Sequence, residues 1–259
     1  MKSGKIELEI SAACRIGCVR HDNEDMILVG YQFIRNDEYR TQLELGDNDR
    51  FMMAVADGMG GHLSGEVASS DVLHNLQFFF SDLPVGLDAS SFNEMIVGWL
   101  DSINMILDSK GKVNERYKGM GTTLVALAYY DGIFYSLNCG DSRLYRLRDE
   151  ELMQLTTDHS LSSLIGDEKH SSVITNCIGG GCTNSYIDLV QIHDIQDGDA
   201  FLLCSDGLTD MMSDHRLNIL LTEGADANDL CNAAIVRGGY DNVSVCLIHV
   251  KNNKTALCH

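Results

Sequence analysis

Nine apolar runs rich in Val, Ile, Phe and Tyr recur along the chain, each short enough for one strand. They are Ile6–Ala13, Met26–Ile34, Phe51–Ala56, Thr122–Tyr130, Ile133–Asn138, Leu144–Leu147, Ile187–Ile192, Ala200–Cys204 and Val243–Val250. After the third run the period changes. Phe92, Met95, Ile96, Trp99, Leu100, Ile103, Ile106 and Leu107 recur at intervals of three and four, with Ser90 or Ser91 as N-cap and Gly111 just past the end. Residues 65–80 place Ala68, Val72, Leu76 and Phe79/Phe80 on one side in the same way, and shorter helices are expected over 214–221 and 226–237. Strands, then two helices together, then strands again predict an α+β fold of antiparallel sheets covered by helices, not a βαβ alternation. Asp131-Gly132 between two runs reads as a two-residue hairpin, and Arg148-Asp149-Glu150 as a looser one.

A chain of 259 residues with 44% hydrophobic content can bury a full core, and a single domain over 1–259 is expected. The Ser-, Gly-, Thr- and Asn-rich segment 159–185 reads as a mobile surface flap. Lys and Arg number 19 against 38 Asp and Glu, a net charge of −19, which argues against nucleic acid or an anionic membrane as partner. Such a field also repels phosphorylated substrates unless bound cations reverse it locally. Nine cysteines, several inside apolar runs, read as free thiols of a reducing compartment; the spacings Cys14/Cys18 and Cys177/Cys182 do not fit a zinc knuckle. Residues 1–9 hold no apolar core of signal-peptide length, and no apolar run approaches the roughly 20 residues of a membrane span. A cytoplasmic, monomeric protein is expected.

Four short acidic signatures sit at the ends of apolar runs: Asp57-Gly58-Met59-Gly60, Gly140-Asp141-Ser142-Arg143, Ser205-Asp206-Gly207-Leu208 and Tyr240-Asp241-Asn242-Val243. One Asp-Gly alone is a turn. Four carboxylates at strand ends, far apart in sequence, are what a hard-cation site assembled by the fold requires, because Mg²⁺ and Mn²⁺ take oxygen ligands and keep several waters. Glycine after Asp57 and Asp206 lets the backbone turn tightly beside an ion.

These signatures do not stand alone. Gly17-Cys18-Val19-Arg20 with Asn23-Glu24-Asp25, the Asp57–His62 run followed by Gly65-Glu66-Val67-Ala68-Ser69, and Met120-Gly121-Thr122-Thr123 precede Gly140–Arg143. Leu155-Thr156-Thr157-Asp158-His159-Ser160, Leu203–Asp210 and Asp241-Asn242-Val243-Ser244 follow. In that order they resemble the metal-dependent serine/threonine protein phosphatases of type 2C, and Met59-Gly60-Gly61-His62 is similar to the bacterial branch. The match runs from about Gly17 to Ile248.

The resemblance implies a sandwich of two antiparallel sheets flanked by helices, with two Mn²⁺ or Mg²⁺ ions at one end. By position, Asp57 bridges the ions, the Gly58 carbonyl joins one, and Asp206 and Asp241 the other. Glu24 and Asp25 act through metal-held water, Asp141 with Asp206 takes a third, weaker ion, and Arg20 holds the substrate phosphate. The implied reaction is hydrolysis of phosphoserine and phosphothreonine in proteins by a water activated between the ions, opposing a bacterial Ser/Thr kinase. Where the animal branch has a candidate acid histidine this chain has Met59, so His62, His159 or a water is left to protonate the leaving group. The alternative is a catalytically silent regulatory module on the same fold.

Overall fold

The computed structural model describes residues 5–60, 63–166, 173–182 and 184–252. Strands β1 (Ile6–Arg15), β2 (Met26–Val29), β3 (Gln32–Ile34), β4 (Glu38–Leu45), β5 (Arg50–Ala56) and the two-residue β6 (Gly58–Met59) lead into helices α1 (Leu63–Ser81) and α2 (Ala89–Val113). Next come β7 (Gly121–Thr122), β8 (Leu124–Tyr130), β9 (Ile133–Cys139), β10 (Arg143–Arg148), β11 (Glu151–Gln154) and the short α3 (Leu161–Ile165). The chain continues through β12 (Ile178–Gly179), β13 (Asp188–Ile192), β14 (Ala200–Cys204), α4 (Asp206–Thr209), α5 (Asp214–Thr222), α6 (Ala227–Val236) and β15 (Val243–Asn252).

Two six-stranded antiparallel sheets form, in the orders β11-β10-β14-β15-β1-β4 and β13-β9-β8-β5-β2-β3, beside a small sheet β12-β7-β6. Three apolar layers hold them. Met53 and Val55 of β5 face Ile10 and Ala12 of β1 and Phe201 of β14 between the sheets. The alternate residues Met52, Ala54 and Ala56 pack outward on α1 and α2, and on the far side Leu202 and Val245 pack under α5 and α6. Both faces of the central strands are therefore covered, which is why β8 reads Leu-Val-Ala-Leu-Ala-Tyr-Tyr with every residue buried instead of alternating.

The α2 face that reaches the core is narrower than its sequence stripe. Phe92, Ile96, Trp99, Leu100, Ile103 and Leu107 are buried, each worth roughly 1.5–3 kcal/mol, whereas Met95 and Ile106 lie at its margin and are exposed. The cap differs from expectation too: the Asp88 carboxylate accepts from the Ser91 amide, and the helix runs past Gly111 to Val113. Asp226 caps α6 in a reciprocal box with Asp229, as the sequence bounds imply. Asp131-Gly132 forms the expected hairpin, with φ of +46° and +85°. The second hairpin is as tight and not looser: Asp149 and Glu150 have φ of +50° and +64° and join Arg148 directly to Glu151.

Strand β4 is absent from the apolar runs because its outer face is charged; Tyr39, Thr41, Leu43 and Leu45 alternate with Glu38, Arg40, Gln42 and Glu44 along the sheet edge. The segment 159–185 is not a surface flap throughout. His159, Ser160, Asn176, Cys177 and Ile178 are buried, and β12 pairs with β7; residues 167–172 and 183 lie outside the described residues. Among the described residues no helix is long and apolar enough to cross a membrane.

Candidate metal centre

Antiparallel pairing brings the acidic signatures to one end of the sandwich. In one sheet Arg15 opposes Val243 and Cys204 opposes Val245, so the loop after β1, the turn after β14 and the turn before β15 adjoin. In the other, Met26 opposes Ala56 and Leu124 opposes Cys139, which gathers Asp25, Asp57, Thr123 and Gly140. Asp57, Asp141 and Asp206 each follow a strand, but Asp241 precedes β15 and comes off α6, which corrects the reading that it ends a run.

Close backbone approach sets the turns. A Cβ on Gly58 would lie 2.1 Å from the Gly65 carbonyl oxygen, and one on Gly207 1.9 Å from that of Asn242. Only glycine lets the β5 turn meet the start of α1 and lets α4 meet β15. The Asp57 carbonyl accepts from the Thr123 amide (2.9 Å) and the Thr122 hydroxyl (2.8 Å), while the Asp57 amide donates to Thr123 Oγ1 (3.1 Å).

Asp25 and Asp141 are buried, Glu24, Asp57 and Asp206 are partly buried, and several of their oxygens are short of partners. Asp25 is fully buried; its Oδ2 accepts from Ser205 Oγ at 2.8 Å, and its Oδ1 has no hydrogen-bond partner. Glu24 Oε1, Asp141 Oδ1 and Asp206 Oδ1 are likewise buried and unpartnered. Desolvation, reinforced by neighbouring carboxylates, pushes Asp25 and Asp141 up to about 7 and Asp206 to about 6. Asp57 is driven well above the usual range by burial and by Asp25, Asp206 and Asp141, and burial also raises Glu24.

An orphaned buried carboxylate oxygen is costly, and four grouped at one cleft need positive charge. The donor set is all oxygen, which fits Mn²⁺ or Mg²⁺. Asp241 is differently engaged: Oδ2 accepts from Arg20 at 2.6 Å and Oδ1 from the Asn242 amide at 2.8 Å. Among the described residues no three acidic, histidine or cysteine side chains converge as closely as bound ligands do.

Residues to which the sequence assigned no role hold the site. Asn242 donates to the Ile16 carbonyl (2.9 Å) and the Asp22 carbonyl (3.1 Å) and accepts from the Glu24 amide (2.8 Å), fixing the loop that carries Arg20 and Glu24. Arg35 donates from Nε to the Asp25 carbonyl and from NH2 to Ser69 Oγ, joining the start of β2 to α1. Exposed Asp210 adds negative charge beside Asp206 and Asp141. Asn242 and Ser205 flank acidic positions in the motifs, which is the signal that marks them.

The histidines divide. His62 lies outside the described residues. His159 is 6% exposed, with Nδ1 accepting from the Gly140 amide (3.1 Å) and Nε2 2.9 Å from Asp188 Oδ2. Nδ1 is thus committed to the Gly140 turn and to Asn176, and Nε2 to Asp188 at the start of β13, so neither is left for a leaving group, which corrects its candidacy as a general acid.

Two covered sheets with acids gathered at one end define a class with known members. The sequence profile described as protein phosphatase 2C matches residues 32–230. The chain belongs to this family. It is 31% identical over 256 residues to the protein phosphatase PhpP of Streptococcus pneumoniae, covering 93% of this chain and 97% of that protein. Identity is also 31% with the serine/threonine protein phosphatase PstP of Mycobacterium tuberculosis, over 94% of this chain; there the chain spans only 45% of its relative's length. Among solved structures, the serine/threonine phosphatase of S. agalactiae superposes with a TM-score of 0.78 at 29% identity, over 94% of this chain and 100% of that one. The catalytic domain of PstP in complex with two manganese ions superposes with a TM-score of 0.72 at 30% identity, over 95% and 99%.

Proposed function

We propose that this chain hydrolyses phosphoserine and phosphothreonine in proteins, using two Mn²⁺ or Mg²⁺ ions and a third, weaker one, and that it opposes a Ser/Thr protein kinase. The observation that carries this reading is the group of buried, unpartnered oxygens on Glu24, Asp25, Asp141 and Asp206. The two manganese ions of the similar PstP domain support the number.

Asp57, the Gly58 carbonyl, Asp206 and Asp241 would hold the principal pair, Glu24 and Asp25 would orient its waters, and Asp141 would hold the third ion. Ions held so lower the pKa of a water and offset charge gathering on the phosphoryl oxygens. Arg20, with 52% of its side chain exposed and its charge beside Asp241, Glu24 and Asp57, can offer its planar fork to the substrate phosphate. Its pairing with Asp241 fixes it there before substrate arrives. Ser205 and Asn242 keep Asp25 and the Glu24 backbone from shifting as charge enters. A protein of net charge −19 can in this way accept a phosphoester at one positively charged spot.

The test is a manganese titration of phosphopeptide hydrolysis by wild type, Asp57→Asn, Asp206→Asn and Asp141→Ala. Near-complete loss is expected for the first two and partial loss for the third. Turnover that survives chelator would overturn the metal-dependent reading, and a silent wild type that still binds phosphoprotein would favour the regulatory module.

A further inference from the structure

Cys177 and Cys182 bracket a turn at the edge of the sheet β12-β7-β6, and their sulfurs lie 3.2 Å apart. Among the described cysteines no other pair is joined by a sulfur–sulfur hydrogen bond. Cys177 is 4% exposed, while Cys182 is partly open to solvent. The turn between them is built of Gly179, Gly180 and Gly181, all left-handed with φ of +75°, +64° and +79°. A Cβ on Gly180 would stand 2.7 Å from Cys177 Sγ, so glycine there makes the space the thiol occupies. A disulfide needs the sulfurs about 1 Å closer, at roughly 2.05 Å. A three-glycine turn can supply that movement without steric cost.

We propose that Cys177 and Cys182 are an oxidative modification site, closing to an intramolecular disulfide under a hydroperoxide and reopening with a dithiol. Cys182, the partner open to solvent, reacts first: its sulfur takes one peroxide oxygen, giving a sulfenic acid and one water. The Cys177 sulfur then attacks the Cys182 sulfur. The S–O bond breaks, and the hydroxyl leaves with the Cys177 proton as a second water. Two thiols and one hydroperoxide thus become one disulfide and two waters; with an organic hydroperoxide, an alcohol replaces the first. Reduction by a dithiol passes through a mixed disulfide and returns both protons. Burial, together with the hydrogen bond to Cys182, pushes the Cys177 thiol up to about 12, which disfavours it as the sulfur that first attacks the peroxide.

The location ties the bond to the acidic cleft. Ile178 and Gly179 pair with Thr122 and Gly121, and these pair in turn with Gly58 and Met59. Gly180 also donates to the Met120 carbonyl at 2.8 Å.

The experiment treats the full chain with hydrogen peroxide, alkylates it under denaturing conditions and measures intact and peptide masses. Before alkylation the intact mass should fall by about 2 Da, the loss of two hydrogens. Positions 177 and 182 should resist alkylation until dithiothreitol is added. Cys182→Ser, at the more open position, should abolish the loss, and Cys18→Ser should keep it. Alkylation of both positions at a peroxide dose that oxidises exposed Cys18 overturns the proposal. So does a bond from either sulfur to Cys139, or oxidation of Cys182 to sulfinic acid without a bond.

Discussion

Arg20 Nη2 stands 2.6 Å from Asp241 Oδ2, so the site's exposed cation and one of its proposed ion ligands hold each other. The pair is half exposed, and such a bond contributes about 1 kcal/mol or less to stability. Its weight falls on function, because phosphate and metal each compete for one partner. Arg20→Ala is expected to raise KM for a phosphopeptide about tenfold or more, with a smaller change in kcat, while the melting temperature stays within about 2 °C. Steady-state kinetics beside a thermal melt check this, and an unchanged KM would remove Arg20 from phosphate binding.

The buried carboxylates set a pH dependence with a definite sign. Asp25 and Asp141 are raised to about 7 and Asp206 to about 6, above the roughly 4 of an unfolded chain. The folded state therefore binds protons more tightly, and the stability this contributes is complete below about pH 4 and lost as pH rises through 6 to 7. Chelator-treated protein should melt several degrees lower at pH 8 than at pH 5. Saturating Mn²⁺ should stabilise more at pH 8, where it competes with no protons. A metal-free melt that rises over that interval would contradict this reading of the cleft.

Asn242→Ala removes the donors to the Ile16 and Asp22 carbonyls and the acceptor of the Glu24 amide. At about 1 kcal/mol for each bond, urea unfolding should show a loss of about 2–4 kcal/mol. Manganese affinity by calorimetry should weaken too, since the freed loop carries Glu24 and Arg20. A stability change without any change in affinity would make Asn242 purely structural.

Two glycines should respond in opposite senses. Gly207→Ala drives a Cβ to 1.9 Å from the Asn242 carbonyl oxygen, and the contact atom is backbone, so a loss of about 3 kcal/mol or failure to fold is expected. Gly98 lies in α2 with nothing within 4 Å of its Cβ position. Gly98→Ala should stabilise by up to about 1 kcal/mol. Denaturant curves of the two variants test the difference.

Much of this architecture was legible in the chain because burial writes itself as period. The apolar runs became strands, Met26–Ile34 splitting into the paired β2 and β3, and the three-and-four stripe of Phe92 to Leu107 became the helix over the sheet. Where charge occupied one face, as in β4, the strand was missed, although its alternation was present. Met95 and Ile106 show the converse, because periodicity marks an apolar side without saying how wide the covered strip will be.

The sequence by itself determined which residue types were available to a cation and that Asp57, Asp141 and Asp206 would follow strands, since Asp-Gly turns and apolar runs are local properties. Only the tertiary structure decided which oxygens are left without partners, that Asp241 pairs with Arg20, that His159 is spent on the Gly140 turn, and that Asn242 anchors the loop before β2. Those outcomes depend on antiparallel register, which sets distant strand ends side by side, and on the burial that this packing imposes. Neither quantity is carried by any short stretch of chain.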